Sequence, residues 1–175
     1  MIEVVYYVAS SIDGFIAAPD GGVEWLKPFE DGTEDYGYTE FYTSVEAIFM
    51  GSRTFEQLGS LGDWPYPGKT GWVFSGRNLE SPWPEAVMTN RDPVTVITEL
   101  ETAGIRRAWL VGGGKLAASF RAEGLIGEYI ISIIPAILGA GIPLFGAPGP
   151  QESLKLAASK AYPNGVVQNR YTAAV

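Results

Sequence analysis

At 175 residues, with 46% apolar and 13% aromatic side chains, the chain is long enough to bury a core and reads as one domain over 1–175, not as a disordered segment. Its net charge of −8, with no basic run longer than Arg106-Arg107, argues against nucleic acid and anionic membrane as partners. It has no cysteine and no histidine, which removes thiolate nucleophiles, disulfides, zinc–thiolate centres and Ser-His-Asp hydrolases, and leaves proton chemistry to Asp, Glu, Tyr, Lys or water.

Val4–Ala9 is a short apolar run and predicts a buried strand. No basic region precedes it and no apolar stretch reaches membrane-spanning length, so a cytoplasmic protein is expected. From Ser10 to about Tyr38 the chain is irregular and rich in Gly, Pro and Asp; Phe15, Ile16, Trp25, Leu26 and Phe29 can anchor it as a binding loop. Thr39 can cap a helix to about Val45, Ala47–Met50 predicts a strand, and a helical turn over Thr54–Leu58 leads into a second loop, Gly59–Thr70. Gly71–Ser75 is the next short strand. Asp92-Pro93 is a helix start, an N-cap followed by proline at the first helical position, and Gly104 ends that helix.

Ala108–Val111 predicts a buried strand, Lys115–Glu123 a helix stopped by Gly124, and Glu128–Ile134 a β-branched strand. Tyr162-Pro163-Asn164-Gly165 is a turn between two alternating segments, Leu154–Ala161 and Val166–Thr172. Strands alternating with helices and closing on a hairpin predict an α/β three-layer sandwich with a mostly parallel mixed sheet and a C-terminal antiparallel hairpin.

The chemistry concentrates after strands. Gly112-Gly113-Gly114 follows an apolar strand and opens a helix, bringing bare N–H groups and a positive helix end to one point, which suits a diphosphate. Gly51-Ser52-Arg53-Thr54 and Ser75-Gly76-Arg77 also put hydroxyls and guanidinium groups directly after strand-like runs. A P-loop is excluded because Leu116 follows Gly114-Lys115 where Ser or Thr would hold magnesium. Gly112-x-Gly114-x-x-Ala117 meets a relaxed dinucleotide fingerprint, but too little chain follows for the second half of a Rossmann unit. No acidic spacing points to a metal.

Ordered motifs run almost end to end: Ser11-Ile12-Asp13-Gly14-Phe15-Ile16-Ala17, Met50-Gly51-Ser52-Arg53-Thr54-Phe55-Glu56, Val73-Phe74-Ser75-Gly76-Arg77, Trp109–Gly114, and Ile134-Pro135-x-x-Leu138-Gly139-x-Gly141-x-x-Leu144-Phe145. With these the chain resembles the dihydrofolate reductase superfamily, and is most similar to the branch containing the reductase domain of bacterial riboflavin biosynthesis. The resemblance implies a reductase fold and NADPH as cofactor. It carries the pyrophosphate and 2′-phosphate contacts onto Gly51, Ser52, Arg53 and Thr54, the adenosine-phosphate side onto Ser75 and Arg77, and the diphosphate turn onto Gly112, Gly113, Gly114 and Lys115. Ala9 and Ile16 would line the nicotinamide. The family's usual arginine directly after Gly51 is here Ser52, with Arg53 one position on.

On the substrate side, Asp35 lies where such reductases supply a buried acid, and Asp35-x-x-Tyr38-x-x-Phe41 would share a helical face if the helix began early. An Asp there is equally a helix cap. As an acid it, or a water it orders, would give the proton, with burial raising its pKa. Ile16, Trp25 and Tyr38 are the candidate substrate contacts; for Trp25 a plain loop anchor is the alternative. Asp13-Gly14 is explained as a turn pair. The substrate expected is a small heterocycle: a pyrimidine of the riboflavin pathway, a dihydropterin, or another carbonyl or imine compound. A non-catalytic nucleotide-binding protein is the alternative. Apolar Ile130–Leu138, and the habit of that branch, point to a homodimer.

Overall fold

The computed structural model describes residues 1–59, 62–146 and 149–174. Eight strands form one sheet in the order β5-β4-β3-β6-β1-β7-β10-β9. They are β1 (Glu3–Ser11), β3 (Ala47–Gly51), β4 (Thr70–Phe74), β5 (Ala86–Thr89), β6 (Arg107–Gly112), β7 (Ile126–Ile134), β9 (Leu154–Ala161) and β10 (Val167–Ala173). β5 through β7 pair in parallel, and β10 is antiparallel to both β7 and β9. A minor pair, β2 (Phe15–Ala17) with β8 (Ile142–Pro143), lies beside the end of β1.

The expected three-layer α/β sandwich is the observed one. Val4, Tyr6, Phe49 and Leu110 pack on one face of the sheet against α3 (Pro93–Thr102) and α4 (Gly114–Ala122). Val5, Ile48, Met50, Val73 and Trp109 pack on the other against α1 (Tyr38–Ser44) and α2 (Ser52–Leu58). Parallel strands covered on both faces read as continuous apolar runs, which is why they are legible in sequence. The α3 start is as expected: the Asp92 side chain accepts from the Thr95 N–H at 2.9 Å.

Several parts of the chain differ from expectation, the short strand β8 among them. β5 was not anticipated, because a four-residue run among prolines and charges carries little signal. The 10–38 loop contains β2 and a 3₁₀ turn over Glu24–Phe29. The loop after α2 is partly core: Trp64 and Tyr66 are buried beside Trp83 and Trp109. Positions 60 and 61 of that loop lie outside the described residues. The apolar segment offered as a dimer surface is also core in its strand portion, with Ile130, Ile131 and Ile134 at most 8% exposed.

Candidate functional site

Parallel strands end at one edge of the sheet, so whatever follows each of them shares that edge. Register makes the point for the three phosphate-suited turns: Gly51 pairs with Phe74, and Met50 with Gly112. The segments after β4, β3 and β6 are therefore side by side, with the end of β1 next in the order. A Cβ built on Gly113 would stand 3.7 Å from Thr54 Oγ1, so the glycine turn and the first turn of α2 face each other across the strand ends.

The three glycines do different work. Gly112 and Gly113 have φ of +144° and +92°, conformations that side chains resist, and a Cβ on Gly112 would meet nothing within 4 Å. That open space lies where α4 presents its first unpaired N–H groups. Gly114 instead serves packing, since a Cβ there would stand 2.6 Å from the Pro143 carbonyl oxygen. Lys115 is exposed on the first turn of α4.

Ser75 closes a small turn, accepting from the Arg77 N–H at 2.9 Å and donating to the Arg77 carbonyl at 3.1 Å. Arg77 reaches back to α2, 2.9 Å from Glu56. That guanidinium, and then Arg53, hold the Glu56 carboxyl below the usual range. Arg53 and Arg77 thus flank one carboxylate at the outer end of the edge. Glu56 gives no signal in sequence beyond following Arg53 by three residues, one helical turn.

At the other end of the edge, Ala9 is half-buried beside Ile134, and Trp25, Leu26, Phe29 and Tyr36 pack on the same cluster. Ile16 is half-buried on β2. The segment 18–37 is a strap over this end. Its start is tied to α2 by Gln57 Nε2 donating to the Gly21 carbonyl at 2.7 Å. Near its end the Tyr36 carbonyl accepts from Tyr7 Oη at 3.3 Å and Gln168 Nε2 at 3.0 Å. Among the described residues Tyr36 is the non-glycine one with positive φ, +54°, held there also by its hydroxyl, which donates to the Phe29 carbonyl at 2.6 Å. The Trp25 indole N–H is buried with no hydrogen-bond partner among the described residues.

Register places a row of polar groups beside Ala9 that sequence reasoning missed. Ala9 pairs with Ser132, Ser132 with Gln168, and Gln168 with Lys160. Gln168 Nε2 donates to Ser132 Oγ at 3.0 Å. Burial pushes the Tyr7 hydroxyl up to about 12, so it stays protonated and donating. These residues come from strands whose members are up to 161 positions apart in sequence, and no local motif marks them.

Asp35 stands differently from the buried acid expected. It is exposed and precedes α1, its carboxylate accepting from the N–H groups of Gly37 at 2.7 Å and Thr39 at 3.1 Å. The Thr39 hydroxyl and those N–H groups hold its carboxyl below the usual range, the opposite of what a proton-donating acid requires. The helix begins at Tyr38, so Asp35 is on its lead-in and not on its face. Tyr38 stacks on Tyr7 with ring centroids 6.3 Å apart and meets Trp109 edge-on at 5.7 Å. Asp13 does more than turn: it accepts from the N–H groups of Leu138 and Gly139 at 3.1 and 2.7 Å, anchoring that loop. Among the described residues no His, Cys, Asp or Glu group could hold a metal, and no helix is long and apolar enough to cross a membrane.

The chain is similar to several proteins of known sequence or structure. The uncharacterized protein YwjB of Bacillus subtilis is 34% identical over 165 residues, 94% of each chain. A protein of Shewanella sp. PV-4 named for riboflavin biosynthesis is 28% identical, with both chains covered completely and a TM-score of 0.89. A Thermotoga maritima diaminohydroxyphosphoribosylaminopyrimidine deaminase/5-amino-6-(5-phosphoribosylamino)uracil reductase shares the fold at TM-score 0.74 and 14% identity, over 99% of this chain and 57% of that one. The model of the RibD C-terminal domain matches residues 3–168, and the chain belongs to the RibD C-terminal domain family.

Proposed function

We propose that this chain is a cytoplasmic NADPH-dependent reductase that delivers hydride to a C=N or C=O carbon of a small pyrimidine- or dihydropterin-like heterocycle. The observation that carries the proposal is the alignment of three phosphate-suited turns along one sheet edge, leading to Ala9 and the polar row beside it. Family membership and the reductase activity in the name of the Thermotoga protein support the reaction class.

The residues present fit the cofactor. The open space at Gly112 and the N–H groups opening α4 would take the diphosphate, with Lys115 beside it. Gly51, Ser52 and Thr54 would line the same channel, and Arg53, Arg77 and Ser75 would hold the 2′-phosphate end. Ala9 and Ile16 would leave a flat apolar seat for the ring that supplies the hydride when bound. Opposite it, Ser132, Gln168 and Tyr38 would orient the substrate, and Trp25 would cover it and exclude water. Water supplies the proton; Asp35 remains ionised, ordering the end of the strap and the water at its mouth.

Titration with each nicotinamide cofactor tests the reading. NADPH binds more tightly than NADH, by about ten- to a hundred-fold, because charge-assisted hydrogen bonds to a phosphate are strong. Arg53→Ala and Arg77→Ala each narrow the gap; equal affinities in the unmodified protein would sink the assignment. Oxidation of NADPH, followed by absorbance across a panel of aminopyrimidines and pterins, separates an enzyme from a nucleotide-binding protein on the same fold, which would bind without turnover.

A further inference from the structure

The charges of this chain are unevenly divided between the two halves of the proposed cleft. The strap and the start of α1, residues 20–40, carry seven carboxylates, Asp20, Glu24, Glu30, Asp31, Glu34, Asp35 and Glu40, against the single cation Lys27, so this stretch holds −6 of the chain's net −8. All but Glu34, which is half-buried, are exposed. The strap is fastened over the Ala9 end by Tyr36 on Tyr7 and Gln168, and by the packing of Trp25, Leu26 and Phe29.

The cations lie elsewhere. Arg53, Arg77 and Lys115 are at the dinucleotide end. Arg107 and Arg170 are spent on buried Glu128, Arg91 pairs with Glu99, and Arg121 with Glu152. Lys69 and Arg106 are at the opposite edge of the sheet, and Lys155 is on the outermost strand, β9. Lys160 remains, seated over the Tyr162 ring at 4.5 Å and already lowering the Asp35 carboxyl. The groups nearest Ala9 are neutral: the Ser132 hydroxyl, the Gln168 carboxamide and the Tyr7 phenol. The buried, unpartnered Trp25 N–H adds a neutral donor that an uncharged ring carbonyl would satisfy.

We infer that the substrate of this chain is an uncharged or cationic planar heterocycle without a phosphate, and that the acidic strap turns phosphorylated compounds away. The inference rests on the reductase reading for the position of the substrate. A phosphate monoester carries about −1.5 to −2 charges at neutral pH. At this end of the cleft it would face the carboxylates of the strap, with Lys27 and Lys160 as counter-charges and no arginine to receive it. The compound that the Thermotoga relative is named for reducing is phosphorylated, so this chain departs from that relative in the part of the substrate it accepts.

A matched pair tests this: 5-amino-6-(5-phosphoribosylamino)uracil and its dephosphorylated counterpart, each of which opens at the ribosylamine to the C=N that hydride would reduce. Binding to the protein saturated with NADP⁺ is read by saturation-transfer NMR, and turnover by NADPH absorbance. The unphosphorylated twin is expected to be preferred by about tenfold or more at low ionic strength, with the gap closing as salt rises. In Glu30→Gln/Asp31→Asn/Glu34→Gln the gap should shrink at unchanged cofactor affinity. Equal or better binding of the phosphorylated twin at low salt, or no difference between the twins, overturns the inference. If NADPH is not oxidised while the twins still rank as expected, the reductase reading fails and the charge selectivity stands.

Discussion

Asp35 shows how much a single residue's role depends on what its oxygens touch. A carboxylate with two backbone N–H groups and the Thr39 hydroxyl around it is stabilised in its charged form, and these bonds outweigh the desolvation that opposes this at an exposed position. At neutral pH it holds no proton to give. Asp35→Asn keeps the capping geometry, so turnover should fall by less than about tenfold, well short of the 10²–10⁴ that a positioned acid supplies. The pH profile should gain no new limb. A larger loss, recovered at low pH in single-turnover measurements, would restore Asp35 as the acid.

At the scale of an element, the turn from β6 into α4 meets a backbone requirement and, in the proposed function, a binding one. Gly113 sits at φ +92° and ψ 117° as the N-cap of α4, and the modest space around it would admit a Cβ. Gly113→Val therefore strains the backbone, by about 1–3 kcal/mol, more than it collides with neighbours. The fold should survive with a lowered melting temperature while NADPH affinity collapses, which calorimetry and thermal melts report separately. Normal NADPH binding by the variant would reduce the turn to packing. Gly114 and Gly146 show what a packing glycine looks like: a side chain on Gly114 would collide with the Pro143 carbonyl, and one on Gly146 with the Gly114 backbone. The buried charge cluster of Glu128 with Arg107 and Arg170 ties β6, β7 and β10 together at the level of Val5, away from Ala9 and the glycine turn, and has a structural role only.

For the molecule as a whole, the sheet ends on an unusual strand. All eight residues of β9 are exposed, including Leu154 at 37% and Leu156 at 54%, and among the described residues its outer edge has no strand beside it. Such an edge is a template for pairing. A homodimer is proposed through this end of the sheet, and not through Ile130–Ile134, which the core already uses. Sedimentation at micromolar concentration should give a dimer, and Leu156→Lys should shift it toward monomer without lowering cofactor affinity. A monomeric unmodified protein would remove the proposal.

Local signals carried much of this protein. Val4–Ala9, Ala47–Met50 and Ala108–Val111 are legible as strands because both their faces are buried, and Asp92-Pro93 and Gly112–Gly114 are legible because cap and turn chemistry acts over a few residues. The ordering of turns after strands was enough to bring the three phosphate-suited turns to one edge of the sheet. What sequence alone left open depended on contacts between distant segments. The row of Ala9, Ser132 and Gln168 exists only once β1, β7 and β10 are in register. The Arg77–Glu56 pair needs β4 and α2 side by side, and the protonation of Asp35 turns on whether its segment lies under the core or on the surface. Backbone propensity and turn geometry are short-range and are written locally; burial, register and electrostatic environment are sums over the folded neighbourhood, and only the tertiary structure supplies those neighbours.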